Sequence, residues 1–328
     1  MKRYFISHSR KELARLPKNP LAEVFGYKID DMSADAKQHR KGKLCPFNNG
    51  VARCTKVSRP NPLGVCSVYE EGLETPTICC PVRFREGLKD KWLGLSEAAD
   101  FFFPSGTRWM PLGEVKLHNK SGVSAGNIDM VLVALGANDQ IVNFGAMEIQ
   151  SVYNTGNIRD PFEAYMKDPS VGAAFDWTRK EKYPSPDFLS STRKRLMPQL
   201  LSKGEILQAW RTKQAILVDE RFYQHVPDFK EVPQREAEVV WLICTLDYNA
   251  KDNRYHLVLK KRVYTRFKEM LTEFAKSEAG DAKDFIEQLQ KKLEREKKKR
   301  AKAAKSSAPK LPFKTSVTKP RKRPKRKV

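Results

Sequence analysis

The sequence predicts a mixed α/β (α+β) fold, in which a central mixed sheet is flanked by helices and a small cysteine-rich module is attached. Three observations lead there. Between Trp109 and Thr265, apolar strand segments alternate with helical ones, the order that builds layered domains of sheet and helix. Five of the six cysteines fall between Cys45 and Cys80. The chain has 328 residues, and single cores stop growing at roughly 250–300 residues, so a large domain plus a small accessory unit fits the length.

In chain order, residues 1–40 read as an N-terminal helical segment, two short stretches in which the apolar residues of PLAEVFGYKI pack inward. Residues 41–90 form the cysteine module, loop-like from Cys45 to Cys80. Residues 91–280 form the main domain. It opens on LSEAADFFF (95–103), a helix stopped by Pro104 and Gly106. Three strand runs follow, MPLGEVKLH, NIDMVLVAL and QIVNFGAMEIQ, separated by Gly, Asn, Asp and Ser turn residues. DPFEAYMKD and STRKRLMPQLLSKGEILQAW have helical spacing, KQAILV and AEVVWLICTL read as strands, and RYHLVL is a strand before RVYTRFKEMLTEFAKSE, a strand running into a helix. Residues 281–328 are a charged helix, DFIEQLQKKLEREKKKRAKAAK, and a Pro/Lys/Ser tail without an apolar face. No internal repeat of solenoid or propeller period is present.

Composition narrows the function classes. Hydrophobic residues make up 40% of the chain, and no run approaches the roughly 20 apolar residues of a membrane span, so a membrane partner is not expected. The opening MKRYFISHSRKELARL lacks the apolar stretch of a signal peptide. A cytoplasmic location with reduced thiols is therefore expected. The net charge of +23 is unevenly spread: 18 of the 62 basic residues and two of the 39 acidic ones lie between Lys291 and Val328, which carries +16, while the rest carries +7. A basic tail attracts phosphate without choosing sequence, and a solvated end that aids solubility is an equal reading.

The sharpest chemical signal is Asp129 at the start of one apolar strand with Glu148 and Gln150 at the end of the next. Residues i and i+2 of a strand share a face, so Glu148 and Gln150 project together, and a hairpin pairing sets Asp129 beside them. Two carboxylates at one sheet edge suit Mg²⁺, which takes oxygen ligands and keeps waters for a substrate phosphate. The pattern resembles the PD-(D/E)XK nuclease core, whose last position is normally Lys. The Gln150 amide has no charge and cannot take a proton as a base, so it orients water or phosphate only by hydrogen bonding. Glu114, in the preceding strand, is a candidate extra ligand, with an exposed strand residue as the plainer reading. Taken alone, D…ExQ also occurs in unrelated proteins.

Cys45, Cys54, Cys66 and the Cys79–Cys80 pair are separated by eight, eleven and, to Cys80, thirteen residues. Four thiolates suit a tetrahedral Zn²⁺ or iron site. The spacing lacks the CxxC pair of a zinc finger, so composition does not choose the metal. Disulfides, a reactive thiol and plain buried residues are the alternatives. Adjacent residues of an extended segment point apart, so only one of Cys79 and Cys80 ligates. Cys244, within VVWLICTL, reads as core.

LAEVFGYK, CPF…C…GVC…CP, MEIQS and KRLMPQLLSK (194–203) occur in this order over about residues 20 to 210. Together they resemble the NotI family of type II restriction endonucleases. The resemblance implies that Cys45, Cys54, Cys66 and Cys80 hold a structural iron (or zinc) in a rubredoxin-like site, with Cys80 chosen over Cys79 because it precedes Pro81. It implies that Asp129, Glu148 and Gln150 are the catalytic set, Asp129 and Glu148 holding Mg²⁺. Gln199 and Lys203 match positions of the family's helix that support the site or touch phosphate, with exposed helix positions as the alternative.

The expected function is Mg²⁺-dependent hydrolysis of double-stranded DNA at a specific, GC-rich palindromic site, leaving 5′-phosphate ends. The family acts as a homodimer, a two-fold protein matching a two-fold site, and a cognate methyltransferase acting on the same site is the expected partner. Two other readings remain at this stage: an inactive DNA-binding protein on a nuclease scaffold, and a repair or recombination nuclease. The match fades after about residue 210, so no base-reading residues are assigned.

Overall fold

A computed structural model describes residues 16–48, 52–56, 61–88, 91–180, 183–276 and 280–306. The opening helical stretch expected within residues 1–15 and the end of the basic tail, 307–328, lie outside the described residues. The chain divides into two units, Met1–Ala275 and Lys276–Val328.

In the first unit, β1 (Leu21–Val24) and β2 (Tyr27–Lys28) precede helix α1 (Ala34–Gly42). Then come β3 (Val65–Val68) and β4 (Thr77–Ile78), which complete a small sheet of order β2-β1-β3-β4. The helical reading of PLAEVFGYKI is thereby corrected. LAEV is extended because it pairs antiparallel with Val65–Val68, and all eight of those residues are buried. Tertiary pairing of this kind overrides the weak local preference of so short a segment. The same sheet joins the expected N-terminal segment to the cysteine segment. Of the expected helices in residues 1–40, α1 alone is formed among the described residues; Ser33 caps it, its hydroxyl accepting from Ala36 N.

A two-stranded ribbon, β5 (Gly87–Leu88) and β6 (Lys91–Trp92), leads into α2 (Leu93–Phe102), which ends before Pro104 as expected. The central sheet begins with three long antiparallel strands, β7 (Trp109–His118), β8 (Ser124–Leu135) and β9 (Ile141–Gln150). The excursion that follows holds β10 (Tyr153–Thr155), α3 (Arg159–Lys167), α4 (Pro169–Ala174) and β11 (Ser185–Asp187). It ends in a continuous helix, α5, that runs from Phe188 to Ala209 and takes π-helical form over Ser191–Leu196 and Leu200–Gly204. The sheet resumes with β12 (Gln214–Asp219), followed by the short α6 (Glu220–Tyr223), then β13 (Val239–Asn249), β14 (Arg254–Thr265) and α7 (Phe267–Ala275).

The strand order is β14-β13-β12-β9-β8-β7, with β9, β12 and β13 parallel and the outer strands antiparallel. This is the mixed sheet the sequence predicts. Its three parallel strands read as continuous apolar runs because both faces are covered. On one face α2 packs Leu95, Ala98 and Phe102 against Met147, Ile149 and Leu217. On the other, Leu196 and Leu200 of α5 and Phe267 of α7 meet Ile216, Val218 and Trp241. Cys244 is fully buried in the first of these layers.

The second unit contains α8 (Ala282–Ser306), the expected charged helix. Among the described residues no helix is long and apolar enough to cross a membrane.

Candidate active site and cysteine cluster

The β8–β9 ladder runs as far as Met130 opposite Met147. Just beyond, one residue on in β8 and two in β9, the Ile149 amide donates to the Asp129 carboxylate at 2.8 Å. A side chain thus takes over a backbone bond where the two strands part, which fixes Asp129 next to Glu148. On the other side β9 stays paired with β12, with Glu148 opposite Ile216 and Gln150 opposite Val218. Glu148 and Gln150 are buried, at 7% and 5% exposure, and Asp129 is half-buried.

Glu148 is held by a residue from far along the chain. Its Oε2 accepts from Lys203 Nζ on α5 at 2.7 Å. The same ammonium donates to Asn127 O at 2.7 Å and to Gln199 Oε1 at 2.8 Å, so all three of its protons have acceptors. Glu148 Oε1 is buried without a hydrogen-bond partner. Burial, and after it the Asp129 carboxylate, push the Glu148 carboxyl up to about 8, while Lys203 pulls the other way. An unpartnered buried carboxylate oxygen beside a second carboxylate costs free energy unless a proton or a cation sits with them. The pair therefore fits a hard divalent ion bound through one or two carboxylates and otherwise by water and phosphate.

Gln150 shares the face of Glu148, but its amide donates to the Ser151 carbonyl at 2.6 Å. Glu114 is exposed, with a left-handed φ of 53°. It lies between the Gly113–Met130 and Val115–Ile128 pairs, at the register position across from Asp129. Such backbone is uncommon for a residue with a Cβ and clusters at functional sites.

The cysteines are all free thiols. Cys45 and Cys54 are brought together by the Leu44–Arg53 bridge and by the Cys45 N to Ala52 O and Cys54 N to Lys43 O bonds. Burial pushes the Cys45 thiol up to about 11; the Cys80 and Cys54 sulfurs nearby add to this, and the Phe47 and Asn48 amides oppose it. Cys54 is likewise raised by burial and by Cys80, against the Lys56 amide, and Cys66 by burial, then Cys80. Cys80 thus lies within electrostatic reach of Cys45, Cys54 and Cys66. Amide protons turned to sulfur stabilise thiolates, the form that binds metal. Among the described residues no three His, Cys, Asp or Glu side chains are grouped closely enough to hold a metal ion.

Cys79, next to Cys80 and also within its electrostatic reach, accepts at its thiol from Lys56 Nζ at 3.4 Å. Lys56 also donates to the Val65 and Cys79 carbonyls, each at 2.8 Å. Lys203, which the resemblance offered as supporting the site or touching phosphate, reaches Glu148 across 55 residues of chain, a pairing that no local spacing signals. One feature escaped sequence reasoning. Asp219 is fully buried and accepts from Ile78 N and Arg221 N; in the sequence it is only the residue after the strand run KQAILV.

A mixed sheet whose two carboxylates meet where β8 and β9 part has the architecture of a restriction endonuclease nuclease fold. The family profile described as Restriction endonuclease NotI matches residues 23–257. The chain belongs to the NotI restriction endonuclease family, and is thus a type II site-specific endonuclease acting on DNA. Comparison with curated protein sequences gave no match.

Proposed function

We propose that this endonuclease hydrolyses phosphodiester bonds of double-stranded DNA with Mg²⁺ held by Asp129 and Glu148, leaving a 5′-phosphate and a 3′-hydroxyl at a GC-rich palindromic site. The observation that carries the reading is the buried Glu148 carboxylate, which meets Asp129 and keeps one oxygen without a partner. A divalent ion bound there supplies Lewis-acid polarisation of the phosphate and a water of lowered pKa. The protein's own contribution is placement. Asp129 is anchored by the Ile149 amide and Glu148 by Lys203, so both carboxylates are set before substrate arrives. Gln150, on the Glu148 face, orients the water or the scissile phosphate once its amide turns from Ser151.

The reading includes a homodimer, one site for each strand of a two-fold DNA sequence, a cytoplasmic location and a cognate methyltransferase. It also includes a structural iron or zinc on Cys45, Cys54, Cys66 and Cys80. The Leu44–Arg53 bridge and the Cys45 N–Ala52 O and Cys54 N–Lys43 O bonds, which bring Cys45 and Cys54 together, support one pair of that donor set. Metal analysis with an absorption spectrum separates the two ions, because Fe(III)–thiolate is red and Zn²⁺ colourless; protein free of both metals would remove the assignment.

Digestion of phage DNA by the purified protein tests the activity. Discrete bands that require Mg²⁺ are expected. A smear would indicate a nuclease without a fixed site, and intact DNA an inactive scaffold; either would contradict the proposal.

A further inference from the structure

The lysine that the nuclease pattern places two residues after its glutamate is absent here, since position 150 is Gln. The structure nevertheless sets a lysine on that glutamate. Lys203 is 3% exposed, and its ammonium is divided among Glu148 Oε2, Asn127 O and Gln199 Oε1 at 2.7–2.8 Å. Three features of the chain deliver it. It lies in the π-helical turn Leu200–Gly204, and such turns re-aim side chains and recur at functional sites. Gly204 lets α5 approach α7 closely, since a Cβ there would meet the Phe267 ring at 2.5 Å. Gly126, with φ +108°, takes a backbone conformation that L side chains rarely adopt and runs beside the lysine stem, a Cβ there lying at ordinary contact distance, 3.8 Å, from Lys203 Cδ. Gln150 does not compete for Glu148, because its amide faces Ser151 O.

We propose that Lys203 is the positioning lysine of this active site, supplied from α5 in place of the lysine missing at position 150. It grips Glu148 through Oε2 and leaves Oε1 for the cation, so one carboxylate oxygen is fixed and the other is available. Gln199 holds the ammonium in register. The proposal rests on the reading of Asp129 and Glu148 as the cation-holding pair.

The test uses the full-length enzyme and four variants, Lys203→Met, Lys203→Arg, Gln150→Lys and the double variant Lys203→Met/Gln150→Lys, with Asp129→Asn as control. Single-turnover cleavage, DNA affinity in Ca²⁺ and thermal melting are measured for each. Lys203→Met is expected to cut about 10²-fold more slowly or worse, the scale of losing one aligned charge, with DNA affinity within about threefold of the parent. Lys203→Arg keeps the charge and recovers part of the rate. In the double variant a lysine returns to the Glu148 face from position 150 and is expected to recover at least about tenfold over Lys203→Met, a rescue that a merely structural lysine would not show. If Lys203→Met melts early, Lys203→Gln takes its place with the same expected loss. Cleavage by the uncharged variants at the parent rate, with Asp129→Asn inactive, would overturn the role of Lys203 alone, as would a double variant no faster than Lys203→Met. Parent-rate cleavage by Asp129→Asn would overturn the carboxylate reading beneath it and the proposal with it.

Discussion

At the scale of single residues, the chemistry concentrates in Glu148. Burial and Asp129 raise its carboxyl from 4.5 to about 8, so the proton is held at neutral pH in the metal-free protein. A cation must displace it. Divalent-ion affinity is therefore expected to weaken as pH falls through about 8, and binding at pH 7 to release a proton. Titration calorimetry with Mg²⁺ in two buffers of different ionisation heat reads that proton; uptake without release would contradict the shift. The folded state binds the Glu148 proton more tightly than the unfolded chain does. The metal-free protein thus loses stability from this group as pH rises from 4.5 to about 8. Asp129, Glu148 and Gln150 were legible in the sequence as a strand-end cluster, because two-residue periodicity alone puts Glu148 and Gln150 on one face. Lys203 was offered only by resemblance, as a residue supporting the site or touching phosphate, and its contact with Glu148 was not legible, because it depends on how α5 crosses the sheet.

At the scale of elements, legibility follows the strength of the local pattern. Strands β7 to β9 and β12 to β14 announce themselves as apolar runs between turn residues, and α2, α3 and α5 by spacing and by their stops. The strand Leu21–Val24 does not, since it exists only through its pairing with Val65–Val68. The π-helical turns of α5 are equally hidden. Asp219 marks a junction between elements. It ends β12, caps α6 through Arg221 N at 2.8 Å, and accepts from Ile78 N at 3.1 Å, which ties β4 and the neighbouring cysteines to the main sheet. Asp219→Ala removes the cap and leaves the buried Ile78 amide without its partner. A loss of about 1–3 kcal/mol is expected in urea denaturation, the scale of an unsatisfied buried donor; an unchanged midpoint would show that the junction contributes nothing.

At the scale of the whole molecule, the cysteine segment is sewn into the nuclease unit. Arg83 is fully buried; it pairs with Glu23 at 3.0 Å, with Glu86 at 2.6 Å, and donates to the Tyr255 carbonyl of β14 at 2.8 Å. Its guanidinium also lies over the Phe47 ring, two residues from Cys45. Arg83→Met strands the buried Glu23 carboxylate and is expected to cost about 3–5 kcal/mol; a loss below about 1 kcal/mol in denaturant titration would place the pair at the level of a surface salt bridge. Sewn in this way, the β1–β4 sheet and the central sheet are tied together at β14. The most direct test is cleavage and binding by Asp129→Asn and Glu148→Gln side by side. DNA binding in Ca²⁺ within about threefold of the parent, together with a cleavage rate lowered by about 10³-fold or more in Mg²⁺, is the predicted result; cleavage by either variant at the parent rate would contradict it.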